Sequence, residues 1–170
     1  MKTFILLSAV AGCGKSTWAK MYADRHQNAK IVASDELRKE LAGSYQNFEH
    51  EDEVWETFFG RINEYAKEDV DELTVIGDAT NLKNVYRLKA LNLIKGYDRR
   101  VLIVIKKPLD VILKQNKMRP AEKIVPEPVV RSMFNSFEEP SEEVLDGFDE
   151  YCVYYKTFEL EKFNAIENKK

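Results

Sequence analysis

The 170-residue sequence predicts an α/β fold, a mostly parallel central sheet of four to five strands flanked by helices. Three observations carry this. Runs such as Thr3-Phe4-Ile5-Leu6-Leu7 and Val101-Leu102-Ile103-Val104-Ile105 are continuously apolar, as in strands covered on both faces. Stretches of helical periodicity separate such runs. The first run passes through a glycine-containing turn straight into a helix-like stretch.

The elements follow in order. Thr3–Ser8 reads as a buried parallel strand. The helix from Ser16 to Arg25 places Trp18, Met21, Tyr22 and Arg25 on one face, most simply a face packed on the sheet. Lys30–Ala33 is a short second strand, and Ser34 or Asp35 can cap the helix after it. Ala42-Gly43-Ser44 is a break. A long helix then runs from about Glu51 to Asp71, its acids a solvated face and His50 a surface residue. Leu73–Gly77 is the third strand, closed by Asp78-Ala79-Thr80-Asn81, and a helix spans Asn84 to Lys95 before Gly96. Arg100–Ile105 is the fourth strand and Pro108 stops it. Helices over Leu109–Met118 and Val129–Phe137 flank a basic, proline-bounded connection, read as a lid over residues 116–126, with a plain surface loop as the alternative. A short acidic helix from Ser141, a last strand over Asp149–Tyr155 and a helix over Lys156–Lys170 complete the chain.

Composition bounds what such a fold can do. A hydrophobic fraction of 44% and a charged fraction of 32% describe one globular domain over residues 1–170. No apolar run approaches the ~20 residues of a membrane span, and the strand-like start is no signal peptide. Cys13 and Cys152 are too few and too far apart for a zinc site or a disulfide framework, so a reducing cytoplasm is expected. Charge is divided along the chain. Residues 83–131 carry 13 Lys and Arg against 4 Asp and Glu, between two acidic flanks. That segment could form a positive surface for phosphates, or scattered solvated lysines.

The turn holds the clearest chemistry. Ala9 to Ser16 matches G-x-x-x-x-G-K-[ST], the phosphate-binding P-loop, except that Ala9 stands at the first glycine. Backbone N–H groups of Gly12, Cys13, Gly14 and Thr17 and the free donors of the helix N-terminus can converge on an anion. Lys15 would add a charge on the β- and γ-phosphates of ATP, and Ser16 a hydroxyl ligand for Mg²⁺. Cys13 fits as a small residue filling a tight turn, although a helix N-terminus can also lower a thiol pKa. Asp78, directly after a buried strand, is where a second Mg²⁺-side oxygen belongs. Asp35 lies at the carboxyl end of a strand, where functional residues of open α/β sheets collect, and shares a helix face with Arg38. That pair suits proton abstraction from a hydroxyl near a phosphate; a capping Asp with an exposed ion pair is the alternative. An arginine in the lid, Arg119, can stabilise charge on a transferring phosphoryl group.

These pieces resemble the kinase domain of the phage-type 5′-hydroxyl polynucleotide kinases, within the P-loop kinase fold. The resemblance rests on Gly12 to Ala19, Asp35-x-x-Arg38, Asp78 to Leu82, Asn116-x-x-Arg119, Val125-Pro126 and Arg131-Ser132-Met133, in that family's order over residues 1 to about 137. It implies Asp35 as the general base toward a 5′-hydroxyl and Arg38 as the holder of the flanking phosphate. Lys15 and Arg119 would grip ATP, and Ser16 would bind the metal. Ala9, and Pro120 after the lid arginine, depart from the family's pattern. Many relatives carry a phosphatase or ligase module, which here would be a separate chain. The expected activity is ATP-dependent phosphorylation of 5′-hydroxyl ends of DNA or RNA. A kinase of a small metabolite or nucleoside, and an ATPase or nucleotide switch, are the alternatives.

Overall fold

The computed structural model describes residues 1–155. Its organising strand is β1 (Lys2–Ser8), in which Phe4 and Leu6 face one side of the sheet and Ile5 and Leu7 the other. All four are at most 2% exposed. A strand buried on both faces has no reason to alternate with polar residues, and each fully buried large side chain contributes about 1.5–3 kcal/mol. The same holds for β3 (Leu73–Asp78) and β4 (Arg99–Ile105). With β2 (Ala29–Ala33) and β5 (Glu150–Tyr154) they form one sheet of order β2-β3-β1-β4-β5, parallel throughout.

Helices cover both faces. On one lie α1 (Lys15–Arg25), α5 (Leu109–Lys117) and α6 (Glu127–Ser136), which bury Trp18, Tyr22, Ile112 and Val130 against Ile5, Leu7 and Ile103. On the other lie α2 (Ser34–Ala42), α3 (Glu51–Ala66), α4 (Asn84–Leu93) and α7 (Glu142–Gly147), which bring Leu37, Phe58, Ile62, Ala90 and Val144 onto Phe4, Leu6 and Leu102. Gly77 makes room for this packing, since a Cβ there would stand 3.2 Å from the rings of Phe4 and Phe58. The α/β class is therefore as expected, with five strands. No described helix is long and apolar enough to cross a membrane.

Several expectations shift. α3 ends at Ala66 instead of Asp71, because the Lys2 ammonium donates to the carbonyls of Ala66 (2.6 Å) and Glu68 (2.7 Å). Those carbonyls are satisfied without another helical turn. α4 ends at Leu93 instead of Lys95; the Arg100 guanidinium takes the Leu91 (3.0 Å) and Ile94 (2.8 Å) carbonyls. Arg25 is exposed, while Trp18 and Tyr22 of the expected face are core. A helix reaches toward the surface once the sheet beneath it ends. The helix expected over 156–170 lies outside the described residues.

Candidate active site

The carboxyl ends of β1, β2 and β3 bring three loops together, where an open parallel sheet places its ligands. The loop after β1 is shaped by two left-handed residues, Gly12 (φ +91°) and Gly14 (φ +94°). Gly12 is needed twice over, for its φ and because a Cβ would stand 2.8 Å from the Ile112 carbonyl oxygen of α5. Ala9 is accommodated because its φ is not positive: among the described non-glycines only Asn28 and Asn81 have positive φ. The Ala9 N–H donates to the Thr80 carbonyl (2.9 Å), tying the loop to the end of β3.

The donors of this loop divide in two. The Cys13 N–H is used inside the turn, on the Val10 carbonyl at 3.1 Å. Among the described residues no backbone bond takes the N–H groups of Gly14, Lys15, Ser16 or Thr17, and Gly14 offers no side-chain cap. These are the open donors of a helix N-terminus, where a partial positive charge also gathers. Lys15 beside them is 7% exposed, with no ion pair or hydrogen bond among the described residues. The Cys13 thiol is buried, and that burial pushes its pKa up despite the nearby Lys15 and Lys107 charges. Of the two readings of Cys13, the small residue filling a turn is the one its surroundings match.

Beside the loop, the Ser16 hydroxyl donates to Asp78 Oδ2 at 2.8 Å, and Asp78 is buried at the end of β3. A hydroxyl and a carboxylate in contact are hard oxygen donors suited to Mg²⁺, which keeps water and phosphate oxygens for its remaining positions. A larger protein cage is not needed, and none of three or more His, Cys, Asp or Glu occurs among the described residues.

Asp35 and Arg38 form the second half of the site. Arg38 Nη1 donates to Asp35 Oδ1 at 2.7 Å, and its Nε and Nη2 donate to both oxygens of Glu51 at 2.9 and 2.7 Å. The guanidinium also lies 4.4 Å from the Phe48 ring centroid. Burial would lower the Arg38 pKa, but the Glu51 and Asp35 carboxylates outweigh it and the net shift is upward. Arg38 is therefore 5% exposed with all three nitrogens already on carboxylates. It holds Asp35 in place, and three of its five N–H donors are used on Asp35 and Glu51. Asp35 keeps about half of its side chain open (47%).

Asp35 stands where two cavities meet. One, of about 530 Å³, is lined by Lys15, Asp35, Arg38, Phe48, Trp55 and Tyr86 among others. The second, of about 500 Å³, is lined by Ser16, Lys20, Asp78 and Arg61. Asp35, Tyr45, Arg119 and Lys123 border both. Arg119, in the connection between α5 and α6, lies 3.8 Å from Asp35 Oδ2.

The connection expected to be a lid is tied down at its base and at its tip. Asn116, buried, donates through Nδ2 to the Val125 carbonyl (2.7 Å) and accepts the Val125 N–H (3.1 Å). That double bond pair joins the two ends of the expected lid. Between them a short 3₁₀ turn (Ala121–Lys123) begins after Pro120, whose fixed φ starts the turn. The tip then lies on α2: Lys123 donates to Glu36 (3.0 Å), Lys39 to Glu122 (3.4 Å), and Gln46 to the Ile124 carbonyl (3.3 Å).

The predicted residues Lys15, Ser16, Asp35, Arg38, Asp78 and Arg119 thus converge, whereas Gly12 and Cys13 shape the loop and Thr17 is exposed. Sequence reading missed Glu51, taken as part of a solvated face. It also missed Arg87, fully buried, which donates to the carbonyls of Asn81 (3.0 Å), Leu82 (3.3 Å) and Glu138 (2.7 Å) and to Ser8 Oγ (3.0 Å). Burial pushes the Arg87 pKa down, yet a guanidinium stays charged. Arg87 locks the end of β1, the loop after β3 and the end of α6 to one another. Trp55 and Phe59, which line the larger cavity, carried only the signal of helical spacing.

The model of the family described as an AAA domain matches residues 5–140. A chain of a Pnkp1/Rnl/Hen1 RNA repair complex has a similar fold, with a TM-score of 0.69 and 19% identity, covering 87% of this chain and 46% of that one. Kti12 of Chaetomium thermophilum, solved with ADP-AlF3, gives 0.66 and 12%, covering 89% and 88%. A gluconokinase from Sinorhizobium meliloti 1021 gives 0.58 and 19%, covering 89% and 82%. At these identities the likeness is one of fold. No curated protein matches the chain.

Proposed function

This chain belongs to the AAA domain family, and we propose that it is an ATP-dependent kinase whose acceptor is the 5′-hydroxyl end of DNA or RNA. The observation that carries the proposal is the Asp35 carboxylate, held by Arg38 at 2.7 Å and set where the two cavities meet. The Lys15 ammonium and the open N–H groups of Gly14 to Thr17 take the ATP phosphates. Asp35 accepts the proton of the acceptor hydroxyl as its oxygen bonds to the γ-phosphorus and the bond to the ADP oxygen breaks. Arg119, beside Asp35, neutralises charge on the phosphoryl group in transit. Ser16 and Asp78 would hold Mg²⁺, which supplies charge neutralisation on the phosphates when bound. Arg38 acts through Asp35, as a positioning residue.

The walls of the larger cavity support a nucleic-acid acceptor. Phe48, Trp55 and Tyr86 offer flat apolar faces on which a base can stack, with cations nearby. Fold likeness to a chain of an RNA repair complex points the same way. A small-molecule acceptor is the second reading, favoured by a volume within the range of small-ligand pockets.

Incubation with γ-labelled ATP and a 5′-hydroxyl oligonucleotide is expected to give 5′-labelled product. Labelling only of a small alcohol from a substrate panel would establish the second reading instead. ATP turnover without any acceptor, surviving in Asp35→Ala, would point to a nucleotide-dependent switch and defeat both.

A further inference from the structure

We infer that Glu36, next to Asp35 on α2, is a positioning residue for the transfer step: through Lys123 it holds the connection between α5 and α6 so that Arg119 stands beside Asp35. The inference rests on the kinase reading above. Two consecutive acids of α2 meet two cations set four residues apart on the connection. Lys123 donates to Glu36 at 3.0 Å, whereas Arg119 Nη2 lies 3.8 Å from Asp35 Oδ2. The second distance is longer than a hydrogen bond, so the firm attachment is the one through Glu36.

Glu36 is built as an anchor. Tyr45 donates its hydroxyl to both Glu36 carboxylate oxygens, at 3.2 and 3.0 Å, which fixes the carboxylate. The same ring lies 5.0 Å from Lys123 Nζ, so an ion pair and a ring face converge on one ammonium. The Glu36 hydrogen bond pushes the Lys123 pKa up against the opposing effect of burial. Between Lys123 and Arg119 lies only the short turn that begins after Pro120, whose fixed φ leaves little slack. A turn anchored at Lys123 therefore restricts where Arg119 can stand. This division of tasks has a chemical use. An Asp35 that carried Arg119 in a close ion pair would be a weaker base, and the guanidinium would be drawn away from the transferring phosphoryl group. With Glu36 bearing the attachment, Asp35 keeps its charge for the acceptor proton and Arg119 can turn to the phosphoryl group.

The test follows single-turnover transfer from ATP to a 5′-hydroxyl oligonucleotide in the wild type, Glu36→Gln, Lys123→Met, the double variant and Glu36→Asp. The half-saturating concentration of each substrate and the urea midpoint are measured alongside. At saturation Glu36→Gln is expected to transfer about fivefold more slowly, the scale of one ion pair reinforced by a ring contact. Both half-saturating concentrations should stay within about twofold of wild type, and the urea midpoint should not move. Lys123→Met should show the same loss and the double variant no more than either, because both changes cut one link. Glu36→Asp, which keeps the charge, should recover part of the rate. Added salt should slow the wild type toward the Glu36→Gln rate and leave that variant nearly unaffected, since the pair is partly exposed. A Glu36→Gln rate equal to wild type, or losses that add in the double variant, overturns the inference while leaving the kinase reading intact. A loss seen only as weaker half-saturation does the same, because the connection would then serve binding alone. If only a small alcohol is labelled, that alcohol replaces the oligonucleotide and the same outcomes decide. If the wild type labels no acceptor, the reading and the inference fall together.

Discussion

Asp35, the proposed general base, illustrates how a single side chain is positioned by others. One oxygen is fixed by Arg38 and the other lies near Arg119, while about half the side chain remains open to the cavities. Replacing it by Asn keeps the shape and a hydrogen-bond acceptor for Arg38 but removes the base. Asp35→Asn is expected to lower kcat by about 10²- to 10⁴-fold, the usual contribution of a positioned general base, with ATP affinity within about threefold of wild type. Single-turnover transfer and equilibrium ATP binding, measured on the same preparation, separate the two. A large loss of ATP binding would instead assign Asp35 to the donor side. Cys13 shows the opposite use of burial. Its thiol is pushed above the ordinary cysteine value of ~8.5, so at any given pH its thiolate fraction is smaller than that of a free cysteine. In linkage terms the unfolded chain loses this proton first, and stability drains away as pH rises past that ordinary value. Alkylation at pH 8, followed by peptide mapping of Cys13, is expected to run at least about tenfold slower in the native protein than in urea. Equal rates would mean that the thiol is not enclosed by the phosphate loop.

The connection proposed as a lid is the element whose construction is most explicit. Its two ends are joined by Asn116, whose side-chain amide pairs with both backbone groups of Val125. The same residue lies against the phosphate loop, since a Cβ on Gly12 would come within 3.2 Å of Asn116 Cβ. Hinge and loop are therefore in direct contact. Asn116→Leu keeps the volume but strands the Val125 N–H and carbonyl, a change that costs about 1–3 kcal/mol. We expect a lower urea midpoint and faster proteolytic cleavage within residues 117–125, with cleavage the more sensitive readout because the lid can open before the domain unfolds. A midpoint that falls without faster lid cleavage would show that Asn116 serves the core and not the hinge. The latch on α2 responds to salt in addition. Lys39, Glu36 and Glu122 are exposed, so these ion pairs add little to global stability and are screened as ionic strength rises.

For the whole molecule, the sequence was most informative where burial acts on neighbours in the chain. β1, β3 and β4 are legible as apolar runs because helices cover both faces of the sheet, and the loop of Gly12 to Ser16 is legible because its contacts are local. Arg38–Glu51 and Arg87 were not, because each depends on residues brought together from different elements. A charge 13 positions from its partner carries no periodic signal. The ends of α3 and α4 were missed for the same reason, being closed by Lys2 and Arg100 from distant strands. The strongest global test therefore concerns the part that both readings place alike, the donor site at the carboxyl end of β1. A ligand that binds only the folded state stabilises it by about 2.7 kcal/mol at 100 times its Kd. For a domain of this size each 1 kcal/mol moves Tm by about 2–4 °C. A non-hydrolysable ATP analogue with Mg²⁺ should thus raise Tm by roughly 5–10 °C. Lys15→Ala should remove most of that rise, because the open N–H groups of Gly14 to Thr17 alone lack the ammonium that matches the phosphate charge. Asp35→Asn should keep it, because the role proposed for its carboxylate is on the acceptor side. A wild-type protein with no shift would mean that the loop does not bind a triphosphate. Equal loss in Lys15→Ala and Asp35→Asn would mean that donor and acceptor halves are not separable as the two cavities suggest.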